Sequence, residues 1–292
     1  MTKSKLTFHI SNWTGNVIAA IKETKPAYIK TLDPNRDILD DLMTDNPDLR
    51  IIYRLVKTPQ EIGTDPSEIE QNAVAYAGEI ARSARDSIGL IWGVEGYNEP
   101  FGEQASNETQ QAYDYWMSIF YEPIKAFGYE PLAFSWATGN FPVPGNEADF
   151  LGNFNLTLSK YDYLSLHEYD YPTMWRLHYQ GLDEGNDGMW LALRYKRLRA
   201  ATVRLRPDLK FIITECGVAR GVIGWPEDVG WLSEPEPVSE QSYFESLLWY
   251  GNEIAEDDYV LAACVFKTGG GTAEWETFES TNILKRILTN AI

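Results

Sequence analysis

Leu90-Ile91-Trp92-Gly93-Val94-Glu95-Gly96, running into Tyr97-Asn98-Glu99-Pro100, is a short apolar stretch that stops in a polar turn. Its length and its Gly and Pro punctuation read as a buried strand. Seven more stretches share this form, at residues 6–10, 27–31, 50–55, 131–136, 163–167, 210–214 and 260–266. The segments between them read as helices. Asp65-Pro66-Ser67-Glu68 predicts an N-cap with Pro at the first helical position. Ala112, Trp116, Ile119, Phe120, Ile124 and Phe127 recur at helical spacing, and Pro123 is expected to kink or end that helix. Ser239 is expected to cap a helix whose buried stripe is Phe244, Leu247, Leu248 and Ile254.

Strands that alternate with helices form a parallel sheet, and eight of them can close on themselves. The expected fold is therefore an α/β protein, a single-domain (β/α)8 barrel over residues 1–292. An open doubly wound sheet would want a Gly-rich turn after its first strand, and His9-Ile10-Ser11-Asn12-Trp13 is not one.

The formal charge of −18 makes phosphate backbones and anionic lipid surfaces poor partners, so neither nucleic acid nor membrane is expected. A neutral sugar suits such a surface better. The 13% aromatic content agrees, since sugar C–H faces stack on rings, although most rings pack cores. Cys216 and Cys264 offer no disulfide scaffold or zinc spacing. No metal-ligand cluster is visible in the sequence, and no cofactor is expected. Residues 1–6 lack a long apolar leader and no apolar run could span a bilayer. The expectation is a soluble chain, cytoplasmic or secreted with a leader not present here. Oligomeric state is not readable.

Barrel chemistry gathers at the C-terminal ends of the strands. There the fourth strand offers Asn98-Glu99-Pro100, the sixth His167-Glu168-Tyr169-Asp170 and the seventh Thr214-Glu215-Cys216. His9 lies in the first strand and Arg54 near the end of the third. Glycoside cleavage needs two carboxyl groups, one to protonate the leaving oxygen and one to attack the anomeric carbon or activate water. Strands four and seven face each other across a barrel mouth, so Glu99 and Glu215 can converge. Glu168 and Asp170 read as loop charges.

These residues carry a resemblance. Asn98-Glu99-Pro100 resembles the Asn-Glu-Pro motif after strand four of glycoside hydrolase clan A, whose nucleophile ends strand seven, as Glu215 does here. His167-x-Tyr169 resembles the pattern after strand six of family 5 cellulases and their relatives. The resemblance implies a retaining enzyme acting on a probably β-linked glycan, with Glu99 as acid/base and Glu215 as nucleophile. It implies that Asn98 binds the sugar 2-hydroxyl, that Tyr169 donates to Glu215, and that His167 binds substrate or orients Glu99. Burial is expected at Glu99, and Arg54 is expected beside Glu215.

The eighth strand departs from the clan, which usually places a Trp after it. Phe266 replaces that ring, Lys267 contacts a charged substrate, or Trp275 folds back. The clan's Arg commonly follows strand two rather than strand three. Trp136 is the leading stacking platform, with Trp175, Trp225 and Trp231 as further candidates, and the segment 216–238 is a candidate cleft wall. A peptidoglycan-cleaving muramidase-type enzyme and a non-catalytic carbohydrate-binding barrel are the alternatives. The second would keep the rings and lose the paired carboxyls.

Overall fold

The structure is a computed structural model that describes residues 4–102, 105–140, 146–224, 229–234, 237–270 and 273–290. Eight strands close into a barrel: β1 (Leu6–Ile10), β2 (Tyr28–Thr31), β3 (Arg50–Tyr53), β4 (Ile91–Glu95), β5 (Glu130–Trp136), β6 (Tyr163–Asp170), β7 (Lys210–Val218) and β8 (Val260–Thr268). Each pairs in parallel with its sequence neighbour, and β8 returns to β1. The described residues form ten α-helices, nine between the strands and one after β8: α1 (Gly15–Thr24), α2 (Arg36–Asp45), α3 (Pro66–Ser83), α4 (Asn107–Ala126), α5 (Glu147–Gly152), α6 (Asn155–Lys160), α7 (Arg176–Asp183), α8 (Arg194–Thr202), α9 (Glu240–Ala255) and α10 (Thr281–Asn290). No helix among the described residues is long and apolar enough to cross a membrane.

The helix starts follow local chemistry. Asp65 Oδ1 accepts from the amides of Ser67 and Glu68 at 2.9 and 3.0 Å, satisfying donors the first turn of α3 leaves free. Ser239 Oγ does the same for Ser242 at 3.1 Å on α9. Two helical expectations shift. Pro123 lies inside α4, which continues to Ala126. On α9 the buried face is Tyr243, Leu247, Tyr250 and Ile254, while Leu248 is 39% exposed.

The lower interior is apolar. Tyr28, Ile52, Leu132, Ile212 and Ala262 pack there with Trp92, Tyr163 and Leu261 against them. Gly93 makes room for this layer, since a Cβ there would stand 2.8 Å from Leu132 Cδ1. The Arg50 guanidinium closes the bottom, 5.2 Å from the Trp92 ring and 5.7 Å from Tyr28.

Higher up, bulges re-aim side chains. Along β6 and β7, Leu166 pairs with Ile213 but His167 pairs with Glu215, so Thr214 is an extra residue. Ile212 faces the barrel interior, and strict alternation would then turn Glu215 outward. The extra residue reverses that phase and aims Glu215 inward. A second bulge between Phe134 and Trp136 aims Ser135 inward, with φ of 84° at Phe134 and 49° at Ser135.

Candidate active site

Glu99 stands just past β4, on a turn anchored from both sides. Tyr97 is buried with its ring 4.4 Å from that of Trp116 on α4, and its hydroxyl donates to Glu61 O at 3.1 Å. Gln60 Nε2 donates to Asn98 O at 2.7 Å and its Oε1 accepts from Asn98 N, so one side chain clamps the Asn98 backbone. Glu99 itself has φ 48°, a conformation that strains a non-glycine residue, and its amide donates to Ser135 O at 3.0 Å.

Glu215 projects from β7 and is held at both oxygens. Arg54 NH1 donates to Oε1 at 2.8 Å, Lys30 Nζ reaches Oε1 at 3.2 Å, and the Tyr169 hydroxyl donates to Oε2 at 2.9 Å. Arg54 also donates to Asn98 Oδ1, tying the two motifs together. Burial, the largest influence on Glu215, pushes its carboxyl up. The charges of His167, Lys30 and Arg54 outweigh burial and hold it well below the usual carboxylate range. Burial and the neighbouring Glu215 charge push the Tyr169 hydroxyl up, so it stays a donor.

His167 joins the two acids. Its Nδ1 is 2.7 Å from Glu99 Oε1 and 3.6 Å from Glu215 Oε2. Donor atoms of Glu99, His167 and Glu215 all lie within 4.8 Å of one another. Three such donors could receive a cation, a grouping the sequence did not reveal. However, Glu215 already faces the positive charges of Arg54 and Lys30, which would repel one. Above the acids opens a cleft of about 750 Å³, lined by Arg54, Lys57, Gln60, Asn98, Glu99, Tyr169 and Glu215, with Phe266, Trp275 and Phe278 as its aromatic wall. Ala219, Gly221 and Val222 line it too, so the segment after β7 forms part of that wall. A second cavity of about 630 Å³, beside Arg50 and Trp92 at the opposite end, has no comparable group of reactive side chains.

The structure thus gathers Arg54, Asn98, Glu99, His167, Tyr169 and Glu215 into one constellation. It moves the other expected contacts. Trp136 is fully buried, stacked on Phe134 at 3.9 Å, because the β5 bulge turns it toward the helix layer. Lys267 is fully buried with Nζ 3.4 Å from Gly270 O, and Phe266 rather than Lys267 lines the cleft. Of the three ways to fill the place after the eighth strand, Phe266 and Trp275 reach the cleft, with ring centroids 5.5 Å apart.

His9 is also fully buried, with Nε2 3.6 Å from Glu215 Oε1, so it meets the acid and not a ligand in the cleft. Burial, then Lys30, pushes its imidazole well below its ordinary value, leaving it neutral. The buried His167 ring faces Glu99 and does not line the cleft. Glu99 is not buried as expected: its side chain is 37% exposed. Trp231 packs on Tyr243, Trp175 lies beside Trp249, and Trp225 falls outside the described residues.

Glu168 and Asp170 are buried supports rather than loop charges. Glu168 accepts from the amides of Leu193 and Tyr195 and from the Tyr250 hydroxyl, at 2.7–2.8 Å. Asp170 accepts from Leu177 N and from Arg176 NH2, both at 2.7 Å. Glu168 thus pins the start of α8 and Asp170 the start of α7. Lys30 and Glu95 were missed altogether. Their signal was a lone charge inside an apolar strand, which must either find a partner in the barrel or destabilise it.

No protein-family model and no curated protein matches this chain. Solved structures share its fold. A GH128 (subgroup II) endo-β-1,3-glucanase from Sorangium cellulosum superposes with TM-score 0.56 at 13% identity, covering 100% of this chain and 99% of the other. A GH128 (subgroup I) endo-β-1,3-glucanase from Amycolatopsis mediterranei, in complex with laminaripentaose, gives 0.54 at 14%, covering 97% and 98%. The β-glucuronidase of Ruminococcus gnavus gives 0.58 at 11%, covering 98% of this chain and 50% of that one. At such identities the likeness is one of fold.

Proposed function

We propose that this chain is a retaining glycoside hydrolase acting on a neutral β-linked glycan, with Glu99 as acid/base and Glu215 as nucleophile. The observation that carries this reading is the approach of the two carboxyls over the barrel mouth, with oxygens within 4.8 Å and His167 between them. Retaining enzymes hold their carboxyls about 5–5.5 Å apart, whereas inverting enzymes leave about 6.5–9.5 Å for a water. The names of two fold neighbours, endo-β-1,3-glucanases of which one is in complex with laminaripentaose, point toward a β-glucan as the first substrate to try.

In the first step Glu99 protonates the glycosidic oxygen while Glu215 attacks the anomeric carbon. Arg54 and Tyr169 hold the two Glu215 oxygens so that the attacking lone pair is aimed before the sugar arrives. Asn98, clamped by Gln60 and Arg54, presents its amide beside Glu99 to the sugar 2-hydroxyl. Ester formation removes the negative charge of Glu215, and Glu99, now a carboxylate, takes a proton from the incoming water. The Phe266, Trp275 and Phe278 wall offers rings to the sugar C–H faces.

The test is a panel of soluble β-glucans and cell-wall material, with the parent protein beside Glu99→Gln and Glu215→Gln. Cleavage by the parent and its near-loss in both folded variants is expected. Cleavage by both variants at the parent's rate contradicts the assignment. Release of peptidoglycan fragments alone would favour the muramidase reading. Oligosaccharide binding without cleavage would favour the binding module.

A further inference from the structure

Two charged side chains inside the barrel take no part in those steps. Lys30 and Glu95 are each 0% exposed. Lys30 Nζ stands 2.7 Å from Glu95 Oε2 and 3.2 Å from Glu215 Oε1, so the ammonium lies between two carboxylates carried by β4 and β7. Glu95 cannot swing away, because its Oε1 accepts from Ser135 Oγ at 2.7 Å and Ser135 Oγ in turn lies 2.9 Å from Ser165 Oγ. A buried charge without a partner is far more costly than a buried pair. Here two cations, Lys30 and Arg54, answer two anions, Glu95 and Glu215.

We infer that Lys30 is a positioning residue for Glu215, holding Oε1 from beneath the cleft, and that Glu95 is the counter-ion that fixes the ammonium there. The inference rests on the reading of Glu215 as nucleophile. The titratable and charged groups facing Glu215 are His9 from β1, Lys30 from β2, Arg54 after β3, Glu95 at the end of β4 and Glu99 just past it, His167 and Tyr169 from β6, Cys216 beside it on β7, and Cys264 from β8. Of these, Tyr169 and Cys264 are pushed toward their neutral forms by burial, as is His9. Arg54 meets the cleft, whereas Lys30 is sealed from it, so substrate and solvent leave the Lys30 contact unscreened.

The experiment titrates the Glu215 carboxyl directly, by NMR of protein carrying 13C-labelled glutamate, with the resonance assigned through Glu215→Gln. The variants are Lys30→Met and Lys30→Met/Glu95→Met, the second removing both charges so that folding survives if the first fails. In Lys30→Met the midpoint of Glu215 rises by about one pH unit or more. The acid limb of kcat/KM moves up with it, while KM stays near the parent's. In the double variant the midpoint still rises, but less, because the lost cation is the nearer of the two charges. A midpoint equal to or below the parent's in either folded variant overturns the inference. If the parent cleaves no glycan, the proposed function fails while the NMR titration still decides the pairing.

Discussion

The two ends of the barrel interior are built from the same strands with opposite chemistry. β2 gives Tyr28 to the lower end and Lys30 to the upper, β3 gives Ile52 and then reaches Arg54, and β7 gives Ile212 and then Glu215. Below, apolar side chains pack on one another, and Arg50 lies against the Trp92 and Tyr28 rings and donates to the Tyr28 hydroxyl. Above, Lys30, Arg54, Glu95, His167 and Glu215 hold one another within 3.6 Å contacts. The difference teaches a division of labour. The lower layer supplies stability that tolerates repacking, whereas the upper layer spends burial on groups whose charges must be matched one by one.

That division is open to attack by substitution. The largest effect is expected at the acids: Glu215→Gln or Glu99→Gln should lower kcat/KM by about 10⁴-fold, measured on whichever glycan the parent cleaves. A loss below tenfold in either would erase the distinction between the two ends. Next comes Lys30→Met, which leaves Glu95 buried and unanswered. It should cost about 3–5 kcal/mol in urea unfolding, and the double variant with Glu95→Met should recover most of that. Leu132→Ala, at the lower end, should cost about 2–5 kcal/mol while leaving kcat/KM of the folded fraction unchanged. A large loss of catalysis there would show that the layers are not separable.

A pH experiment sharpens the same contrast. Burial pushes the Glu95 carboxyl up, but Lys30 and Arg54 outweigh it and hold it down at about 2, from an ordinary 4.5. A carboxyl lowered on folding stabilises the fold above its unfolded value and loses that contribution as the pH falls through its folded one. Stability carried by Glu95 should therefore be full above pH 4.5 and drain away between 4.5 and 2, by roughly 3 kcal/mol. Unfolding free energies of the parent and Glu95→Gln, compared across that window, should converge as the pH falls; parallel curves would contradict the assignment. The smallest effect is the coupling of Arg50 with Trp92, which a double-mutant cycle of Arg50→Ala and Trp92→Ala in urea unfolding should find at about 0.5–1 kcal/mol.

Much of this was legible in sequence, for identifiable reasons. Apolar runs with sharp boundaries mark strands wherever both faces are covered, and all eight runs became strands of the barrel. Asn98-Glu99-Pro100 and Thr214-Glu215 stood out because strand ends are where polar residues can face a cleft. What failed was phase. A bulge adds one residue without changing composition, so nothing in Phe134-Ser135-Trp136 announced that Ser135 would face inward and Trp136 away. Strict alternation counted from Ile212 would equally turn Glu215 out of the site, and only the extra residue Thr214 brings it in. Lys267 was misplaced because its sequence position at a strand end does not say which of two neighbouring side chains, Phe266 or Lys267, reaches the cleft. Lys30 and Glu95 were overlooked because a charge within an apolar strand gains meaning only with its partner, and that partner lies across the barrel.

The most direct test of the central claim is covalent trapping. An activated fluoro-sugar matched to the cleaved glycan, followed by peptide mass mapping, should leave one sugar on the peptide carrying Glu215, and turnover should stop in step with labelling. A label on Glu99 or on any other residue, or unaltered activity in the presence of the reagent with no adduct, would contradict it.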